Sequence, residues 1–277
     1  MKGLSLRCLT LTVLLCTGLT ANAQSYRILL SNDDGIESPL LIALQAELAA
    51  LPGVEVVVSA PHENQSGSSQ STAGTPMVVE RLYRDGAFFG YAVHGRPADA
   101  VRFGIVELGR DAPFDLVVSG INQGANVGDV SHLSGTVGAA MEGIYLGVPA
   151  IAVSQEVRDV NTEHSTRFAA QLVRRYQQQG APEGIVISIN IPAGELQGVA
   201  VRPMGDSYLQ TAAFTVIESD GDITSYERER VIVQSTDTNS DTYAYQQGYV
   251  TITPLLFDWT AVDFLDDVQS WNLQLAD

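Results

Sequence analysis

The sequence predicts an α/β fold with a parallel sheet, and three observations carry the prediction. Short apolar-rich runs, Ile28–Leu30, Val54–Val58 and Leu116–Val118, read as buried strands. Between the first two, Leu41, Leu44, Leu48 and Leu51 recur at helical spacing, and the Pro52-Gly53 breaker closes that helix. Strand, helix and strand within so few residues make a βαβ unit, whose two strands can only run parallel.

The first strand meets Asn32-Asp33-Asp34-Gly35, a turn-forming cluster. Ser38 is placed to N-cap the helix that follows, with Pro39 at its first position. Asp33 and Asp34 therefore stand at the carboxyl end of a strand, the rim on which open α/β sheets bind ligands. Adjacent carboxylates repel unless a cation holds them, and a hard divalent metal suits them. Taken alone, the stretch fits a solvated Asx turn closed by Gly35 equally well.

Further along, residues 61–71 (Pro-His-Glu-Asn-Gln-Ser-Gly-Ser-Ser-Gln-Ser) form a polar loop on the same rim. Residues 77–83 and 87–93 flank Arg84-Asp85-Gly86 as a β-hairpin. A helix is predicted from Gly95-Arg96-Pro97-Ala98-Asp99, with Val101, Ile105 and Leu108 on one face. Arg96 offers either an anion contact or a surface or capping role. After a strand over 114–119, residues 119–129 form a second loop, with glycines for close backbone approach and asparagines as neutral oxygen donors. Ser134-Gly135-Thr136 opens the next helix, whose free N–H groups suit an anion, although such a tripeptide is more often only a cap.

Residues 150–153 and 185–189 read as further strands, separated by a helix burying Phe168, Leu172 and Tyr176. Beyond Pro203 the pattern turns to hairpins, with turn signals at 219–222 and 236–241. A last clear strand follows over 249–253. Phe264, Val268, Trp271 and Leu275 mark a terminal amphipathic helix.

Lys2 and Arg7, an apolar stretch from Leu9 to Leu19 and Ala21-Asn22-Ala23 have the order of an export signal cleaved after Ala23. On that reading the mature chain starts at Gln24 in the periplasm, and both cysteines, Cys8 and Cys16, leave with the signal. The full chain has 15 basic and 32 acidic residues, net −17. Loss of Lys2 and Arg7 leaves 13 basic residues, all arginine, and a net charge of −19. Nucleic acid and anionic membrane are disfavoured as partners, since both need basic stripes. An anionic substrate is still admissible, because a local cation dominates within a Debye length of roughly 8 Å.

Two carboxylates, a hydroxyl and an amide oxygen make an all-oxygen donor set suited to Mg²⁺, Mn²⁺ or Ca²⁺. Zinc is disfavoured, because His62, His94, His132 and His164 are scattered without ligand spacing. A metal beside a helix-end anion pocket describes phosphoryl chemistry. With no Gly-x-x-x-x-Gly-Lys motif, phosphate-ester hydrolysis is favoured over a P-loop kinase or ATPase.

Five pieces then carry a family resemblance. They are Ile-Leu-Leu-Ser-Asn-Asp-Asp-Gly (28–35), Ala-Pro with Asn-Gln-Ser-Gly-Ser-Ser (60–69), Val-Val-Ser-Gly-Ile-Asn-Gln-Gly-Ala-Asn-Val-Gly (117–128), Ser-Gly-Thr-Val-Gly-Ala-Ala-Met-Glu-Gly (134–143) and Gly-Tyr-Val-Thr-Ile-Thr-Pro-Leu (248–255). In this order they resemble the SurE family, the stationary-phase survival proteins that act as metal-dependent 5′/3′-nucleotidases. The resemblance implies a Rossmann-like sheet with helices on both faces over residues 24–205. It implies a C-terminal arm over 206–277 exchanged between subunits of a dimer or tetramer. It also implies metal ligands Asp33, Asp34, Ser66 and Asn122, with Asn126, Ser134, Gly135 and Thr136 lining a phosphate pocket.

The expected substrates are nucleoside 5′- or 3′-monophosphates, and the expected metal is Mg²⁺ or Mn²⁺. A metal-activated water attacks phosphorus in line, with Asp33 or Asp34 orienting or deprotonating it; direct attack by an aspartate is the other route. Two departures stand out: the export signal, unusual in a mainly cytoplasmic family, and segment 206–247, which aligns poorly.

Two other classes compete. Gly205-Asp206-Ser207-Tyr208-Leu209 resembles the Gly-Asp-Ser-Leu block of one lipase family, but lies late in the chain, where a turn is expected. A non-catalytic exported nucleotide- or phosphate-binding protein would need only the anion pocket, and the carboxylate pair argues against it.

Overall fold

The computed structural model describes residues 25–275. In chain order the elements are β1 (Tyr26–Ser31), α1 (Pro39–Ala49), β2 (Val54–Pro61), β3 (Val79–Arg84), β4 (Ala87–Val93), α2 (Pro97–Phe103), β5 (Leu116–Gln123) and α3 (Gly135–Tyr145). They continue as β6 (Ala150–Gln155), α4 (Thr162–Gln179), β7 (Ile185–Ile191), β8 (Gly198–Val201), β9 (Leu209–Asp220), β10 (Ile223–Ile232), α5 (Asp241–Gln246), β11 (Tyr249–Leu256) and α6 (Leu265–Ser270).

Nine strands form one sheet in the order β3-β4-β2-β1-β5-β6-β7-β11-β8. From β4 to β7 every neighbouring pair is parallel. β3 and β11 pair antiparallel with β4 and β7. The strand pattern explains why both faces are covered. Ile28 and Leu30 of β1 and Leu116 and Val118 of β5 pack toward α1 and α4. The alternate residues Leu29 and Val117 pack toward Val101 of α2 and Val137 and Ala140 of α3. All four strand leucines and isoleucines among these are fully buried, each worth roughly 1.5–3 kcal/mol.

The topology also fixes where a ligand can enter. From β1 the chain steps to β2 and β4 on one side, then crosses to β5 on the other side of β1. The carboxyl ends of β1 and β5 therefore flank the crevice at which the strand order reverses, the usual ligand position in such sheets.

Several local expectations are refined. β5 runs on to Gln123 through a register shift after Ser119, so Asn122 sits on a strand end rather than in a free loop. Residue 120 is a glycine because a Cβ there would lie 2.4 Å from the Val153 carbonyl oxygen. Pro39 opens α1 as expected, but Ser38 makes no side-chain cap bond. The buried stripe of α4 is Ser165, Thr166, Ala169, Ala170, Val173 and Tyr176, with Phe168 and Leu172 half-buried at its edge. Small residues at the centre of that stripe let the helix lie close to the sheet. The short elements β8 and α5 appear where no element is expected. The terminal helix α6 ends at Ser270, so Trp271 and Leu275 lie beyond it, and both are exposed.

Candidate active site

Asp33 stands two residues past the end of β1 and is only 2% exposed. Ile36, one residue past Gly35, bonds its N–H to the Pro61 carbonyl (2.8 Å), and Gln65 bonds its N–H to the Asp33 carbonyl (2.7 Å). These bonds lay the 61–71 loop over the Asp-Asp turn. Gly35 takes φ +98°, and a Cβ there would press on the Glu63 backbone at 3.1 Å. Both the turn and the loop crossing it therefore require glycine at this position.

The amino end of α3 is turned on the same carboxylate. Thr136 is fully buried, its hydroxyl donates to Asp33 Oδ1, and its backbone N–H also favours the charged carboxylate. A Cβ on Gly135 would lie 2.7 Å from Ser68 Oγ and 2.8 Å from Asp33 Cβ, so only glycine lets the helix end approach this closely. Ser134 caps α3, its Oγ accepting from the Val137 N–H (3.1 Å). A helix N-terminus stabilises a nearby anion, and here that anion is Asp33.

Burial pushes the Asp33 carboxyl up to about 6; the Thr136 bond opposes this, and the charge of Asp34 adds to it. Asp34 is half-buried and is raised by burial as well. The Gln123 N–H (3.0 Å to Oδ2) and Asn64 Nδ2 (3.1 Å to Oδ1) hold it down. Two carboxylates lifted by burial beside each other are a site in want of positive charge.

Asp33, Ser66, Asn122, Asn126 and Ser134 line one cleft of about 720 Å³. Asp34 joins it through Gln123, and Gly135 and Thr136 lie against Asp33. Asn122 gives Nδ2 to the Gly124 carbonyl (2.7 Å), which leaves Oδ1 as an acceptor. Asn126 is fixed from three sides: its N–H bonds Asn190 Oδ1 (2.7 Å), its Nδ2 bonds Ser154 Oγ (2.8 Å), and its carbonyl accepts from Ser131 Oγ (2.7 Å). The donor set fits a hard divalent cation. Asp33 retains Oδ2 after Thr136 takes Oδ1, Asp34 supplies a second charge, and Ser66 and Asn122 supply neutral oxygens.

Sequence reasoning missed the far wall of the cleft, formed by Glu156, Tyr208, Arg228 and Arg230. Tyr245 donates its hydroxyl to Glu156 Oε2 (2.9 Å), and burial raises that hydroxyl's pKa. Asn190 was discoverable in principle, since it is a polar residue at the carboxyl end of a buried strand, as Asn122 is. Arg96 does not face the cleft; it bonds Gln65 Oε1 (2.7 Å) and, at the N-cap of α2, gives its backbone N–H to Asp99 (2.8 Å).

The Gly205-Asp206-Ser207 block is no nucleophile elbow. Gly205 N–H bonds Asp241 Oδ1 (2.9 Å), the Asp206 carbonyl accepts from Thr242 Oγ1 (2.6 Å), and no strand-turn-helix junction surrounds it. Elsewhere, His62, Glu80 and His94 gather at the β2, β3 and β4 side of the rim, although the histidines look scattered in the sequence.

Comparison with known proteins finds clear relatives. The family profile described as Survival protein SurE matches residues 28–211. A 5′-nucleotidase SurE of Chlorobium phaeobacteroides is 35% identical over 252 residues, covering 89% of this chain and 96% of that protein. A 5′-nucleotidase SurE of Rhodopirellula baltica is 36% identical over 262 residues, covering 90% and 99%. The crystal structure of a SurE protein from Aquifex aeolicus superposes with a TM-score of 0.76 at 31% identity, covering 89% of this chain and all of that one.

These relatives correct one expectation. The likeness to SurE nucleotidases runs against the periplasmic location expected above, which is withdrawn; the export signal expected over residues 1–23, cleaved after Ala23, lies outside the described residues. A basic, apolar and small-residue order is a property of composition, and composition alone does not establish export.

Proposed function

This chain belongs to the SurE family, and on that premise we propose that Asp33, Asp34, Ser66 and Asn122 hold the divalent metal of a nucleotide phosphomonoesterase. The activity class follows from the family: the protein is a metal-dependent 5′-nucleotidase that hydrolyses nucleotide monophosphates. The assignment of residues is carried by one observation. Buried Asp33, at the switch point of the sheet, shares one cleft with Ser66 and Asn122, and Asp34 beside it accepts from the N–H of Gln123, which lines the same cleft.

Mg²⁺ and Mn²⁺ suit this all-oxygen donor set best. When bound, the cation supplies Lewis-acid polarisation of the phosphoryl oxygens and lowers the pKa of water. The chain supplies the rest. Thr136 and the α3 terminus keep Asp33 oriented and charged, so that it can orient a water or take its proton. Gln123 and Asn64 do the same for Asp34. Asn126, braced by Ser154 and Asn190, and Ser134 and Gly135 at the helix end contact the phosphate oxygens. Arg228 and Arg230 on the opposite wall favour an anionic substrate in a chain whose net charge is −17.

We further propose that residues 24–205 are the catalytic unit and that an arm within 206–277 joins subunits into a dimer or tetramer. The arm consists of the hairpin β9–β10 and the tail after β11, while β11 itself belongs to the sheet. Phe214 and Ile217 of the hairpin and Trp259, Leu265 and Trp271 of the tail are all more than half exposed, an apolar surface that a neighbouring subunit would cover.

A panel of nucleoside 5′- and 3′-monophosphates, assayed with chelator and after adding back Mg²⁺ or Mn²⁺, tests the activity. Turnover should vanish with chelator and return with metal. Turnover indifferent to chelation would refute the reading, and binding without turnover would leave only a nucleotide-binding protein.

A further inference from the structure

Two of the four histidines meet far from each other's place in the sequence. His62 follows the end of β2, where its N–H bonds the Val93 carbonyl (2.8 Å). His94 follows β4, where its N–H bonds the Val78 carbonyl (2.9 Å). These backbone bonds lay the two rings face to face, with centroids 4.2 Å apart and planes 19° from parallel. Glu80, reaching across from β3, places Oε1 2.7 Å from His94 Nε2. One ligand atom from each of the three residues lies within 4.8 Å of the others. The cluster opens on a cavity of about 410 Å³ with Glu63, Gln65 and Arg96 in its wall.

We propose that His62, Glu80 and His94 form a second metal site, selective for a transition-metal ion of the zinc type and distinct from the carboxylate site. A carboxylate–imidazole pair accounts for Glu80 and His94; it does not account for a second imidazole laid on the first. Two imidazole nitrogens and one carboxylate oxygen are a donor set that favours zinc and its neighbours over Mg²⁺. Zinc holds nitrogen and oxygen ligands at about 2.0–2.2 Å, so the three atoms must close in slightly. All three residues are exposed, which leaves the stacked rings room to turn until both nitrogens point at one ion. Three protein ligands leave a fourth position open to water or a small ligand.

The two sites are joined by a short bridge. His62 stands two residues before Asn64, which bonds Asp34, and four before Ser66. An ion at His62 therefore anchors the start of the loop that covers the carboxylate pair.

The site is tested on the full-length protein by titrating Zn²⁺ calorimetrically with Mg²⁺ in excess, and by recording the absorption of the Co²⁺-loaded protein. Wild type should take up one Zn²⁺ per chain, and Co²⁺ should give bands of nitrogen coordination. His94→Ala and Glu80→Gln should each weaken Zn²⁺ binding by roughly tenfold or more, since even outer partners of metal sites cost that much. Asp34→Asn should retain it, so that failure here is distinguishable from failure of the nucleotidase assignment. Glu80→Gln keeps size and polarity, which guards against a His94 variant that misfolds. Unchanged Zn²⁺ affinity in both variants, or loss of it in Asp34→Asn alone, would overturn the proposal.

Discussion

Thr136 donates its hydroxyl to Asp33 Oδ1 across 103 residues of sequence, inside a pocket that leaves Thr136 no solvent contact. That bond holds a carboxylate charged in a place where burial works against charge. Replacing Thr136 with Val keeps the shape and removes the donor. The cost of an unsatisfied buried acceptor is about 1–3 kcal/mol. Thr136→Val should therefore lower the denaturation midpoint at pH 7.5 and weaken Mg²⁺ binding. At pH 5, where Asp33 is mostly protonated, its stability should approach that of wild type.

The raised pKa of Asp33 sets a pH dependence with a definite sign. Its carboxyl titrates near 6 when folded against 3.8 ordinarily, so the folded state keeps a proton that the unfolded state loses between those values. Stability of the metal-free protein should fall as pH rises through about 4 to 6 and then level off, by roughly 3 kcal/mol at most. Urea unfolding in chelator checks this. Asp33→Asn should lose that part of the slope, and saturating Mg²⁺ should offset the loss in wild type at neutral pH.

Gly135 is a steric requirement of the site. A Cβ 2.7 Å from Ser68 Oγ and 2.8 Å from Asp33 Cβ forces the helix end off the carboxylate. Gly135→Ala should cost about 1–3 kcal/mol, as overpacking does, and should lower turnover sharply. Gly74→Ala, where a Cβ meets nothing within 4 Å, is the control and should leave both unchanged.

The tail after β11 carries Trp259, Leu265, Trp271 and Leu275, all exposed. Removing residues 258–277 leaves β11 whole and should reduce the oligomer seen by light scattering. An oligomer of unchanged mass would show that the tail does not join subunits.

The part of the fold that sequence makes legible is local. Ile28–Leu30, the Asn-Asp-Asp-Gly turn and the leucine spacing of α1 are contiguous, so β1, α1 and the rim position of Asp33 follow directly. Gly120 misleads because a glycine read as a loop signal is there for close strand approach to Val153. β8 is four residues long, too short for a period, and α5 hides behind a turn-like tract although Ser240 caps it. The far wall of the cleft and the His62–His94 pair depend on which strands and hairpins become neighbours, and no spacing encodes that.

The central claim is that Asp34 helps hold the metal on which phosphate-ester hydrolysis depends. Asp34→Asn removes one charge while an amide oxygen still accepts from the Gln123 N–H; the bond from Asn64, whose own oxygen is held by the Ser66 N–H, is the one lost. The direct measurement is kcat/KM for a nucleoside monophosphate at saturating Mg²⁺, with Ser207→Ala alongside. Asp34→Asn should fall by about 10²-fold or more, the loss typical of one strong transition-state contact, while Ser207→Ala stays near wild type. Wild-type turnover in Asp34→Asn, or abolished turnover in a folded Ser207→Ala, would contradict the account.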